Sequence, residues 1–138
     1  MLQLMLTRAT TLALVALTLG GCGGGLMSSA DDRGGSGQPF PSQYRSQIVA
    51  FLHTYLTNPV GVRDATMAEP VQRSVDGRQL YISCLRFTPR RSNGSYGPAR
   101  ELAVVHVDAR VDRVMEEAGE ACAGLTYAPF PELEKMSR

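Results

Sequence analysis

The sequence predicts an α+β domain: one N-terminal amphipathic helix packed on a small antiparallel meander of three to four strands. Three observations predict it. An apolar stripe at helical spacing occupies the stretch SQYRSQIVAFLHTYLTNP. Alternating apolar runs follow at RQLYISCLRFT, ELAVVHV and RVDRVM. Asp76-Gly77 marks a turn before the first run, and Asp108-Ala109 turns the second directly into the third.

In the helix, Tyr44, Ile48, Phe51, Leu52 and Tyr55 fall on one face, while Arg45, Gln47 and His53 fall off it. Ser42 suits the N-cap, and Asn58-Pro59 stops the helix, because a residue before proline avoids helical backbone. After Gly61, VRDATMAE reads as a strand ended by Pro70. RQLYISCLRFT is apolar on both faces, which suits a central strand. PRRSNGSYGPAR is a long polar hairpin loop with Asn93-Gly94 inside it. ELAVVHV is the next strand, and Asp108-Ala109 turns it into RVDRVM. That last run is ambiguous: Val111, Val114, Met115, Ala118 and Cys122 also fit helical spacing, and we read a strand at 110–115 with a helix as the alternative. In YAPFPELEKM two prolines force an extended path before one helical turn, with Tyr127 and Phe130 packing back on the domain.

Composition narrows the function classes. The 138 residues suit one domain, and the absence of tryptophan with 7% aromatics predicts an aliphatic core. Arg8 is the only charged side chain before Cys22, so residues 22–138 carry 13 basic and 13 acidic groups. A neutral domain lacks the basic stripe that nucleic-acid binding needs.

Residues 1–8 carry one positive charge, and residues 9–19 form an uncharged apolar run. The run is shorter than the roughly 20 residues of a membrane-spanning helix and matches the core of a secretion signal. Translation could start at Met1 or Met5. The run ends in Leu19-Gly20-Gly21-Cys22. This resembles the lipobox of bacterial lipoproteins. The resemblance implies a diacylglyceryl thioether at Cys22 and cleavage before it, making 1–21 a signal peptide. Two or more acyl chains hold a protein to a bilayer stably, whereas one does so marginally. Residues 22–41, the lipidated cysteine and a stretch rich in glycine, serine and proline, read as a flexible tether. Its span is roughly 25 Å root-mean-square. Residues 42–138 form the folded domain. Gly23, rather than aspartate, follows the cysteine. By the enteric sorting rule this favours the outer over the inner membrane.

With Cys22 lipidated, Cys84 and Cys122 remain, an even pair in an oxidising compartment. They predict a disulfide; two buried free thiols are the alternative. Neither lies in a CxxC spacing, which argues against redox catalysis.

Other constellations are sparse. His53 and His106 are the only histidines, and no HxxxH or paired-cysteine spacing suggests zinc. No metal or other cofactor is expected. Ser83 with His106, or His106 with Asp108, is the nearest approach to a catalytic set, but neither serine nor histidine sits in a glycine-flanked turn. No catalytic residue is assigned. Glu116, Glu117 and Glu120 read as a solvated acidic edge. The loop RRSNGSYGPAR is the best binding candidate. Arg90, Arg91 and Tyr96, with Arg100 at its end, could touch a glycan or an acidic partner; the other reading of the loop, and the more ordinary one, is a tolerated insertion.

FLHTYLTNPVGVRDATMAEP, LYISCLRFTPRRSNGSYG and CAGLTYAPFPELEK resemble a group of short alphaproteobacterial lipoproteins. That resemblance implies location and membership, with no catalytic residues. The helix-then-meander order is also loosely similar to small outer-membrane assembly lipoproteins, which bind partner proteins but usually carry two helices before the strands. The expectation is a lipid-anchored envelope protein facing the periplasm, a binding or accessory module for an envelope protein complex. The alternatives are a small enzyme acting on envelope glycan or peptide, and a secreted protein without an anchor.

Overall fold

The structure, a computed structural model, describes residues 37–138. The stretch read as a signal peptide, Cys22 and the stretch read as a tether, as far as residue 36, lie outside the described residues. Among the described residues the architecture is an antiparallel sheet of six strands with two helices. In chain order these are α1 (Tyr44–Tyr55), β1 (Arg63–Met67), β2 (Val71–Val75), β3 (Arg78–Thr88), β4 (Arg100–Val107), β5 (Arg110–Met115), β6 (Ala128–Pro129) and α2 (Pro131–Glu134). The expected count of three to four strands is therefore corrected to six.

The physical reason lies around Pro70. β1 and β2 pair with the same edge of β3: Met67 stands opposite Leu85, and Val71 opposite Ile82. They are one long strand broken at Glu69-Pro70, where proline has no N–H to give the ladder. The Ala68 N–H still reaches the Cys84 carbonyl at 2.9 Å, so pairing runs up to the break and resumes beyond it. β4 follows β3, and β5 follows β4, through hairpins. The two-residue β6 adds an outer edge beside β1.

α1 buries its stripe at Ile48 and Leu52, whereas Tyr55, expected on the same face, is left 39% exposed at the end of the helix. Its start differs from expectation. Gln43, not Ser42, is the N-cap, and no side chain caps it; the Tyr44 N–H instead bonds to the Pro41 carbonyl.

Two cores flank the sheet. On one face Leu85, Phe87, Leu102 and Val104 meet Ile48, Leu52, Phe130 and Leu133 from the helices. On the other, Leu80, Ile82, Cys84, Ala103 and Val105 are covered by residues of the 116–127 segment, chiefly Ala118 and Cys122. That segment has no strand or long helix; Cys84 and Cys122 tie it down as a disulfide, with Cα atoms 5.8 Å apart. Phe130 is fully buried and Tyr127 partly so.

Residues 37–41, which composition assigns to the tether, are docked. Phe40 meets the Tyr81 ring edge-on at 5.4 Å, and Gln38 Oε1 accepts the Asp108 N–H at 2.8 Å. The chain thus joins the domain beside the β4–β5 turn.

Candidate functional site

The β3–β4 connection, residues 89–99, lies at the opposite end of the sheet from that turn, because β3 runs the whole length between them. It folds as a small hairpin of its own rather than an open loop. Arg90 bridges Tyr96, the Arg91 N–H reaches the Ser95 carbonyl at 2.7 Å, and the Gly97 N–H reaches the Pro89 carbonyl at 3.0 Å. Asn93 Oδ1 accepts from the Ser95 N–H and hydroxyl, and Gly94 takes the positive φ that the tip requires. Asn58 ties the hairpin to the end of α1: its Nδ2 donates to the Arg90 carbonyl, and its Oδ1 accepts from Val60 N–H.

Between these pieces lies a cleft of about 300 Å³, lined by Leu56, Thr57, Asn58, Pro89, Arg90, Arg91, Ser92 and Arg100. A second depression of about 270 Å³ adjoins it along Arg90 and Arg91, reaching Val60, Asn93 and Arg138. The guanidinium groups are held in place by backbone oxygens. Arg90 Nε donates to the Gly94 carbonyl at 3.3 Å, and Arg91 donates to the Tyr96 carbonyl at 3.0 Å. Among the described residues no carboxylate comes within ion-pair distance of either. Arg100 differs, since it pairs with Glu116 at 2.8 Å, and Glu116 also accepts a hydrogen bond from the Tyr55 hydroxyl. That hydrogen bond, with desolvation second, raises the Tyr55 phenol above its ordinary range.

The structure brings Arg90, Arg91 and Arg100 together and sets Tyr96 aside. Tyr96 does not line the cleft; its ring lies under the Arg63 guanidinium, 3.7 Å from the ring centre. Sequence reasoning missed Asn58 as part of this site, and Gly61 as the residue that gives the Arg90 side chain its room. Asn58 reads in sequence as a helix stop, yet its side chain also braces the hairpin.

No family model matches this chain, and neither a curated protein nor a solved structure is similar to it.

Ser83 and His106 do meet. Ser83 Oγ and His106 Nε2 are 2.8 Å apart on the helix side of β3 and β4. Both are sealed, however, at 0% and 1% exposure. Burial pushes the imidazole down to about 4, so it is neutral at neutral pH. Nδ1 has no partner among the described residues, and Asp108 lies exposed in the turn beyond. A nucleophile needs access and an oriented base; this pair has the hydrogen bond without the access. Glu117 and Glu120 border a separate depression with Arg73 and Ser74. Among the described residues no group of three His, Cys, Asp or Glu side chains could hold a metal.

Proposed function

We propose that this protein is a lipid-anchored binding module of the cell envelope, accessory to an envelope protein complex, whose partner engages the 89–100 hairpin. The anchor rests on the Leu19-Gly20-Gly21-Cys22 pattern, and the domain would stand in the periplasm, at the outer membrane rather than the inner. The observation that carries the binding site is the pair of cleft guanidiniums, Arg90 and Arg91, fixed by loop carbonyls and left without a carboxylate among the described residues. Ordered cations facing solvent lose little freedom when an anionic group arrives, which favours recognition. A small enzyme is the weaker reading, because Ser83 and His106 are enclosed by the core.

The test has two parts in the native host. Replacing Cys22→Ser should release the protein from the membrane fraction; unchanged fractionation refutes the anchor. A photocrosslinking side chain at Ser92 should capture one discrete envelope protein, and a diffuse or empty pattern refutes the accessory role.

A further inference from the structure

We infer that the Arg90–Arg91 cleft is a seat for a carboxylate of a partner polypeptide, an acidic side chain flanked by apolar residues. The inference rests on the binding role just proposed and specifies its chemistry. Each guanidinium commits one N–H to a loop carbonyl. A guanidinium has five N–H donors in a planar fork, so most stay open to an anion with two oxygens. The fork is placed without help from the anion, since the Arg90 stem crosses Gly61 and the Arg91 guanidinium lies beside Gly97. Glu116, the acid at the rim, is already held by Arg100 and Tyr55 and cannot fill the seat.

The surroundings favour a peptide. Leu56 and Pro89 supply apolar wall beside the cations, and about 300 Å³ suits one or two side chains. A sugar would want an open aromatic platform, and one face of Tyr96 is taken by Arg63. Bilayer phosphates are disfavoured by position. The chain joins the domain beside the β4–β5 turn, and the 11 residues of β3 carry the cleft roughly 35 Å further on. In a domain anchored at Cys22 the cleft thus lies at the end of the sheet remote from where the tether joins it.

The experiment uses the full chain purified in detergent and the fluorescently labelled peptide acetyl-Ala-Leu-Glu-Glu-Leu-Ala-amide, read by anisotropy, with a glutamine twin, also amidated, in place of the glutamates. The glutamate peptide should bind at least tenfold more tightly than its twin. R90Q/R91Q should lose at least tenfold, and Arg91→Lys, which keeps charge but not the fork, several-fold. Arg78→Gln, at the far end of β3, should change nothing. Equal binding of the twins, or equal binding by R90Q/R91Q, overturns the carboxylate seat. Displacement by inorganic phosphate as effective as by unlabelled peptide overturns it in favour of a phosphate site. Failure of the two readings is separable. A Ser92 crosslink that survives R90Q/R91Q keeps the accessory role and removes the seat, while selective peptide binding without any crosslink does the reverse.

Discussion

The side chain of Arg90 runs through the space that Gly61 leaves empty. A Cβ on Gly61 would stand 2.7 Å from Arg90 Cδ, and Gly61 itself holds φ at +77°. One residue of the α1–β1 connection thus sets the path of a cleft cation from a different hairpin.

Gly61→Ala should therefore carry two costs. The left-handed backbone alone penalises an L side chain by about 1–2 kcal/mol, and the contact with Arg90 adds to it. In an Arg90→Ala background only the first cost should remain, so a double-mutant cycle by chemical denaturation should give a favourable coupling. Strict additivity would show that the stem of Arg90 does not lie over Gly61 in solution.

Asp108 and Ala109 both sit at positive φ, 51° and 63°, in the two-residue β4–β5 turn. Hairpins of this type favour glycine at the second position. Gln47 braces the turn from α1, donating to the Ala109 carbonyl and accepting from the Val111 N–H, each at 3.1 Å. Ala109→Gly should raise stability by roughly 0.5–1 kcal/mol, relief of strain outweighing glycine's extra entropy. A lower melting temperature would contradict the strained turn.

His106 makes stability depend on acidity. Its folded pKa lies at about 4, below the ordinary 6.5, because burial disfavours the charged ring. The unfolded chain takes up this proton first. The contribution is thus complete above about pH 6.5 and drains away as pH falls to about 4, a total of about 3 kcal/mol. Unfolding free energies measured from pH 7.5 to 4 should show that slope in the native chain. Ser83→Ala/His106→Leu, which removes the imidazole and its partner together, should flatten it; an unchanged slope assigns the effect to other groups.

The disulfide closes a loop of 38 residues, which in the chain-entropy account stabilises by about 4 kcal/mol. Cys84→Ser/Cys122→Ser should lower stability by about that amount. Amide exchange should quicken first in 118–125, ahead of α1. Intact mass with and without reductant should differ by two hydrogen atoms, the reductant supplying the electrons; identical masses would mean free thiols.

Most of this architecture is legible in the sequence, and the exceptions have local causes. Ile48 and Leu52 fit one helical face because nothing else competes for them. β2 is hidden by Arg73, which stands on the inward side between Val71 and Val75 and looks like a break in the apolar pattern. In the fold its guanidinium donates to the Ala121 carbonyl at 3.1 Å, so the charge is accommodated at the edge of the second core. The helix alternative at 110–115 arises from a bulge. The register shifts between Val105 and His106, which lets Val111 and Val114, three apart, both pack on the α1 side. Beyond it, helical spacing survives in one turn, where the Cys122 N–H meets the Ala118 carbonyl at 2.8 Å. In the candidate site, Arg90 and Arg91 announce themselves by charge in a loop. Asn58 and Gly61 do not, because their roles depend on a hairpin roughly 30 positions away that no local pattern reveals.

The two covers of the sheet are not equivalent. α1 is a local helix that needs no bond formation to lie down, whereas 116–127 has little regular structure and is riveted by sulfur. A reducing cytosol would therefore leave one apolar surface of the sheet loosely clad. Oxidation of Cys84 and Cys122 closes that cover, so the finished molecule depends on where two thiols can lose their hydrogens.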